Sequence, residues 1–265
     1  MYMGDFFSVL DEVRKKSPLV LQITNAVTIN DCANITICLG ASPVMSNDAD
    51  DAAELAEKAD ALLLNIGTAD NKQIEIMRSA ADSAADKRVP IIFDPAGAGA
   101  SKFRKQTSYK FINDYALTVI KGNAGEINTL AGLNSPMKGV DSDDIVQAAA
   151  AAELSQKTGA VIAVSGVTDI VTDGVCAAEI ANGHPFMGKI SGTGCMAGSC
   201  MAAFSAAAPP YDAAVSAFCL LGTAGEIAAA KAAGPGTFKP AFFDAAANLT
   251  ADDFVKYAKI KEVVL

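Results

Sequence analysis

The chain has 265 residues, 51% of them hydrophobic, which suits one large α/β domain with a sizeable core and excludes a disordered polypeptide. Its 21 Lys and Arg against 30 Asp and Glu give a formal charge of −9, without a basic cluster interleaved with aromatics, so nucleic acid is not the expected partner. The N-terminal MYMGDFFSVLDEVRKK has acids among its apolar residues, unlike a secretory signal, and no uncharged run reads as long and apolar enough to cross a membrane.

Residues 5–16 carry Phe6, Phe7, Val9, Leu10 and Val13 at helical spacing, ending before Ser17-Pro18. Leu19–Thr24 reads as a buried strand, Asp31–Leu39 as a helix stopped by Gly40, and Pro43–Met45 as a short strand. Asp48 caps a helix to Ala59, Ala61–Ile66 is a strand, and Lys72–Lys87 is a helix. Strands follow at Pro90–Phe93, Leu117–Lys121 and Ala160–Ser165, with helices at Phe103–Asn113, Ala124–Ala131 and Asp141–Lys157 between them. Ile170–Thr172 and Val175–Ile180 flank Asp173-Gly174 as a β-hairpin, Ala-rich helices cover about 211–233 and 240–248, and the tail Ile260–Leu265 has strand composition.

Short apolar strands alternating with helices predict a single α/β domain over residues 1–265, with a mostly parallel sheet covered by helices on both faces. Ligands of such sheets sit at the carboxyl ends of the strands. Those ends are polar or glycine-rich here: Thr24-Asn25, Met45, Asn65 to Thr68, Asp94 to Gly99, Lys121 to Glu126, and Ser165-Gly166.

The stretch GKISGTGCMAGSCMAAFSAAA (188–208) reads as a tight turn entering a helix. The turn Gly192-Thr193-Gly194 would present unpaired N–H groups and a partial positive charge to an anion. Cys195 falls in the first helical turn, where that field favours a thiolate. The alternative is a glycine-rich turn before a buried helix, with Cys195 as a small core residue. Asp94 and Glu126 are candidate carboxylates for Mg²⁺, or else a helix cap and a surface acid. Lys121, beside Gly122-Asn123, is a candidate phosphate-binding cation or an ordinary solvated lysine. No GxxxxGK[ST] loop is present. The six cysteines form no CxxC pair and are expected as reduced thiols in the cytoplasm, Cys32 and Cys38 buried. The single histidine, His184, argues against a His-based zinc site or Ser-His-Asp triad and reads as a turn residue that lies near a nucleotide.

Eight ordered segments carry a resemblance: QITNAVTINDCAN (22–34), GASPVMS (40–46), NIGT (65–68), DPAGAGAS (94–101), KGNAGEI (121–127), KGVDS (138–142), NGHP (182–185) and SGTGCM (191–196). Together they closely resemble hydroxyethylthiazole kinases of thiamin salvage, ribokinase-fold enzymes, over residues 6–210. The resemblance implies Mg²⁺- and ATP-dependent phosphorylation of the alcohol of 4-methyl-5-(2-hydroxyethyl)thiazole. By position, Met45 and Gly192 would line the thiazole site, with Asn25, Val27, Gly67 and Thr68 nearby. Lys121, Asn123 and Ser165 would face the nucleotide, and Asp94 and Glu126 the metal. Cys195 takes the place where other ribokinase-fold kinases carry an aspartate base, with Gly192, Thr193 and Gly194 as the anion hole. The family more often has Arg where Lys121 stands and Thr where Ser165 stands; lysine keeps the charge but loses the bidentate fork. The resemblance also implies a homotrimer whose sites are completed by a neighbouring subunit. Competing readings are a hydroxymethylpyrimidine-type kinase, a nucleotide-dependent NAD(P)H-hydrate dehydratase of the same fold, and a non-catalytic nucleotide-binding protein.

Overall fold

Runs of four or five Val, Ile, Leu and Ala residues become strands here because both faces of the sheet are covered, leaving no position for a polar alternation. The computed structural model describes residue 6 and residues 8–132 and 144–264; the KGVDS segment (138–142) lies outside the described residues. Strands β1 (Leu19–Ile23), β2 (Ser42–Val44), β3 (Ala61–Asn65), β4 (Ile91–Asp94), β5 (Val119–Asn123) and β6 (Val161–Ser165) pair in parallel. The hairpin of β7 (Asp169–Thr172) and β8 (Cys176–Ile180) and the final β9 (Ile260–Val264) continue the same sheet antiparallel. Its nine strands run in the order β2-β1-β3-β4-β5-β6-β7-β8-β9.

Two buried clusters divide the sheet by side-chain parity. Leu21, Leu62, Leu64, Ile91, Phe93, Ile120 and Ile162 face α3 (Ala49–Ala56), α4 (Asn71–Lys87), α5 (Lys102–Asp114), α6 (Ala124–Leu130) and α7 (Asp144–Thr158). Val20, Leu63, Ile92, Val119 and Ala163 face the other helices: α1 (Val9–Lys16), α2 (Ile29–Cys38), α8 (Thr193–Ser205), α9 (Pro210–Ala229), α10 (Pro235–Asn248) and α11 (Ala251–Tyr257). At the centre of this second layer lies α8, buried from Met196 to Phe204. A polar thread fixes it there: Ser199 Oγ donates to Gln22 Oε1 at 2.9 Å, and Gln22 Nε2 donates to Thr36 Oγ1 at 2.8 Å.

The elements follow the sequence with informative exceptions. β5 runs two residues past Lys121, because Gly122 and Asn123 keep pairing with Val164 and Ser165. α10 begins at Pro235 rather than at Pro240, which sits inside the helix; Thr237 Oγ1 accepts the Ala233 and Gly234 N–H groups at its start. α11 was not expected from the sequence; its Thr250-x-x-Asp253 capping box forms both reciprocal bonds. Cys38 is half-buried rather than buried, and all six cysteines are free thiols. Contrary to the sequence expectation, one helix among the described residues, α9, is long and apolar enough to cross a membrane, but 83% of its most apolar 18-residue window is buried within the protein.

Gly222 of α9 lies hard against the Asn182 backbone. A Cβ there would fall 2.5 Å from Asn182 Cβ and 2.7 Å from its carbonyl carbon. Asn182 has no room to yield, since it donates to Tyr257 O at 2.7 Å and accepts from Lys259 N–H at 2.8 Å. Gly222→Ala is therefore expected to lower the unfolding free energy by about 1–3 kcal/mol, read by urea denaturation.

Candidate active site

Side chains two residues apart on a strand share a face, and this parity assembles the site. Asn65, Asp94 and Lys121 come from three adjacent parallel strands, each in step with a residue of the α8-facing cluster: Leu63, Ile92 and Val119. Register does the rest, because Asn65 pairs directly with Asp94.

The outcome is a chain of hydrogen bonds across four strand exits. Asn25 Oδ1 accepts from the Val27 and Thr28 N–H groups at 3.2 and 3.1 Å, which folds the loop after β1. Asn25 Nδ2 donates to Asn65 Oδ1 at 3.1 Å, and Asn65 Nδ2 donates to Asp94 Oδ2 at 2.9 Å. Lys121 Nζ lies 3.4 Å from the same Asp94 oxygen. Cys195 bridges this chain from α8, its sulfur accepting from Asn25 Nδ2 at 3.2 Å and from Asn65 Nδ2 at 3.4 Å.

Lys121 corrects one reading of the sequence. It is neither strand-terminal nor solvated; only 4% of it is exposed. Burial opposes its charge, but the carboxylates of Asp94 and Glu126 outweigh that and hold its pKa above the ordinary lysine value. For Asp94, burial is the larger effect and raises its pKa to about 6, against the pull of Lys121.

The other two carboxylate-side candidates are anchored locally. Glu126 Oε1 accepts the Gly97 N–H and its Oε2 the Asn123 N–H, both at 2.7 Å, so it ties the β4 exit to the β5 exit. Asn123 Oδ1 caps α6 by accepting the Glu126 N–H at 2.9 Å, which leaves this oxygen engaged within the protein. Asp94 Oδ1 is buried without a hydrogen-bond partner. A vacant oxygen on a buried carboxylate, with a second carboxylate nearby, suits a hard cation that keeps most of its ligands as water and phosphate oxygens. No group of three or more His, Cys, Asp or Glu side chains among the described residues would enclose a metal unaided.

Gly192 turns the chain into α8 at φ +101°, a conformation that favours glycine, and no side chain caps the helix. Its first turn is consequently open: the earliest α8 backbone bond runs from Met196 N–H to Gly192 O at 2.8 Å. On one side this turn meets Lys121, whose Nζ lies 3.3 Å from where a Cβ on Gly194 would sit. On the other it forms a wall of a cavity of about 610 Å³, together with Ser165, Asp169, His184, Phe218 and Leu221. That volume lies within the usual range for small-molecule and cofactor sites. His184 sits at its rim, accepting the Phe186 N–H through Nδ1 at 3.2 Å and so starting a short 3-10 turn, Pro185–Lys189.

Of the expected thiazole-side residues, Asn25, Gly67 and Thr68 are brought together at the β1 and β3 exits, with Asn25 reaching Cys195. Thr68 Oγ1 accepts the Ala26 N–H at 2.9 Å, joining the β1 and β3 exits, and the Gly67 N–H donates to Asn65 Oδ1 at 2.9 Å. Met45 is half-buried just after the edge strand β2, and Val27 is 69% exposed, so this flank is open. Two residues had no role assigned from the sequence, although Asn65 stands among the polar strand ends. Asn65 had a signal, a polar end on an otherwise apolar strand. Arg104 had none: from α5 it donates to Ala96 O and Gly67 O, each at 2.6 Å, and clamps two exit loops.

The sheet order, the helix entering at its centre and the strand-exit acids define a ribokinase-like fold. A ribokinase-like superfamily protein of Enterococcus faecalis superposes with a TM-score of 0.65 at 15% identity, over 98% of this chain and 92% of its own. Residues 10–252 match the model of the hydroxyethylthiazole kinase family, and the chain belongs to that family. It is 51% identical to a hydroxyethylthiazole kinase of Methanocorpusculum labreanum across 98% of this chain and 99% of that one. The solved hydroxyethylthiazole kinase of Pyrococcus horikoshii superposes with a TM-score of 0.92 at 35% identity, over 98% of this chain and all of its own.

Two expectations follow from this geometry. Gly192→Ala places a methyl 3.1 Å from Thr28 Cγ2 in a left-handed backbone, and is expected to weaken nucleotide binding at least about tenfold by calorimetry, given the 1–2 kcal/mol penalty for that conformation. Asp169, on the cavity wall, accepts the Gly166 N–H at 2.9 Å, and burial raises its pKa to about 7. A carboxyl raised in the folded state keeps its proton longer than in the unfolded chain, so its ionisation costs stability as pH rises. Asp169→Asn is thus expected to match the parent near pH 4, gain on it up to about pH 7, and stay more stable above, as read by urea denaturation at each pH.

Proposed function

We propose that this chain transfers the γ-phosphoryl group of ATP to the hydroxyl of 4-methyl-5-(2-hydroxyethyl)thiazole, in thiamin salvage. One observation carries the reading beyond family membership: the uncapped first turn of α8 both borders the cavity, at Thr193 and Gly194, and carries Cys195. In this reading ATP occupies the cavity, with Ser165 beside it, and its phosphates meet the N–H groups of Gly192, Thr193, Gly194 and Cys195. Lys121 is the nearby cation that balances phosphate charge. Asn25, Val27, Met45, Gly67 and Thr68 hold the thiazole on the far side, and Cys195 takes the proton of its hydroxyl.

Mg²⁺ is the implied metal. Asp94 would hold it through the unpartnered Oδ1, and Glu126 would support it from the β5 exit. When bound, the ion neutralises charge on the phosphate oxygens. Phosphoryl transfer is loose, so positioning outweighs the strength of the base, and a thiolate, which becomes the thiol on taking the proton, suffices where related folds use a carboxylate.

The same reading makes the chain a single kinase domain, supported by the one continuous sheet. It makes it a homotrimer, supported by two exposed apolar residues, Val27 in the loop before α2 and Ile37 near the end of α2. It places it in the cytoplasm, supported by six free cysteines.

The test is ADP release from Mg-ATP with the hydroxyethylthiazole and, in parallel, a hydroxymethylpyrimidine. Thiazole-dependent turnover is expected; turnover with the pyrimidine alone overturns the pocket assignment. Cys195→Ala is expected to lose roughly ten- to a thousandfold in kcat, while Cys195→Asp retains or improves turnover. An alanine variant at the parental rate would remove Cys195 from the role of base.

A further inference from the structure

Asn65 ends β3 wholly buried, and its side chain engages both polar atoms twice. Its Oδ1 accepts from Asn25 Nδ2 at 3.1 Å and from the Gly67 N–H at 2.9 Å. Its Nδ2 donates to Asp94 Oδ2 at 2.9 Å and to Cys195 Sγ at 3.4 Å. One amide group therefore touches the acid and the sulfur together. Those two groups come from different layers, Asp94 from the sheet and Cys195 from α8, and Asn65 is their shared partner.

The chemistry of the donors sharpens the point. Cys195 receives a second amide N–H from Asn25, at 3.2 Å. A thiolate has three lone pairs; two held by amides leave one for a substrate hydroxyl, in a fixed direction. On Asp94, Asn65 and Lys121 both occupy Oδ2, and Oδ1 is the oxygen left without a partner. Asn65 thus selects which carboxylate oxygen is available as well as how the sulfur is presented.

We propose that Asn65 is a positioning residue for phosphoryl transfer, its single amide holding the Cys195 sulfur and the Asp94 carboxylate in one geometry while Asn25 supplies the second donor to the sulfur. This rests on the thiazole kinase reading for its catalytic consequence, but the arrangement around the sulfur stands apart from it. Misplacing reacting groups by about an ångström far outweighs the loss of one hydrogen bond. The cost is expected in turnover, because Asn65 itself reaches no substrate.

The experiment compares the full-length parent with Asn65→Asp and Asn65→Ser. The aspartate variant keeps the volume and the acceptor for Gly67 and Asn25, but turns an oxygen toward Asp94 and the sulfur. A fall in kcat of about 30-fold or more is expected, with KM for ATP and thiazole within about threefold, the split that marks an interaction made in the transition state. Alkylation of Cys195 by iodoacetamide without substrates, followed by mass spectrometry of its peptide, is expected to change about fivefold or more in both variants, since thiol reactivity follows the donors around the sulfur. Parental kcat, or an unchanged Cys195 alkylation rate in a folded variant, overturns the proposal. If neither variant folds, Asn25→Asp keeps the acceptor for the Val27 and Thr28 N–H groups and replaces the other donor to the sulfur with an oxygen, and an unchanged alkylation rate there overturns it equally. If the parent fails to phosphorylate the thiazole, the functional reading falls, while the alkylation rates still decide the arrangement.

Discussion

A lysine and an aspartate facing each other 3.4 Å apart, both shut away from water, are the constraint around which this protein is arranged. Burying two charges costs more than their attraction returns unless the remaining lone pairs are satisfied and the partners are held rigidly. The sheet supplies the rigidity, since Asp94 and Lys121 come from adjacent strands on one face. Asn65 supplies the further hydrogen bond to Asp94 Oδ2. Asp94 Oδ1 is left without a partner, and an orphaned oxygen on a buried carboxylate is a candidate position for a ligand.

The α8 helix closes this arrangement from above. It is anchored by its buried stretch and by the Ser199–Gln22–Thr36 thread, so its N-terminus is fixed over the strand exits. Ordinarily a side chain would cap such an end, and here none does. The uncapped turn, the buried lysine and the cavity beside it together form the proposed anion seat, which needs no phosphate-binding loop of the common type. The loops after β1, β3 and β4 are then tied to one another through Asn25, Thr68 and Arg104, so loops from separate strands behave as one surface.

Much of this was legible beforehand. The strand runs stood out because a doubly covered parallel sheet needs uninterrupted apolar residues, and most of the helices because of their spacing and caps. The glycine turn at 192–194 and its cysteine were legible for the same local reason: turn residues and helix starts are set by backbone geometry a few residues long. The misreadings have a common cause as well. A solvated Lys121 stood as an alternative because its ion-pair partner Asp94 lies 27 residues away in the chain. Pro240 read as a helix start because its cost is judged locally, whereas α10 is held from outside by the packing of Phe238 and Phe242.

The sequence by itself determined the order of the strands and of most helices, and the tight turn into α8. These depend on apolar runs, caps and backbone freedom, all written within a few residues. Only the tertiary structure decided that Asn65 joins Cys195 to Asp94, that Lys121 is buried beside Gly194, and that one cavity borders the α8 turn. Each of those depends on strand register and on how far α8 approaches the sheet. Such distances arise between segments remote in the chain, and no local pattern encodes them.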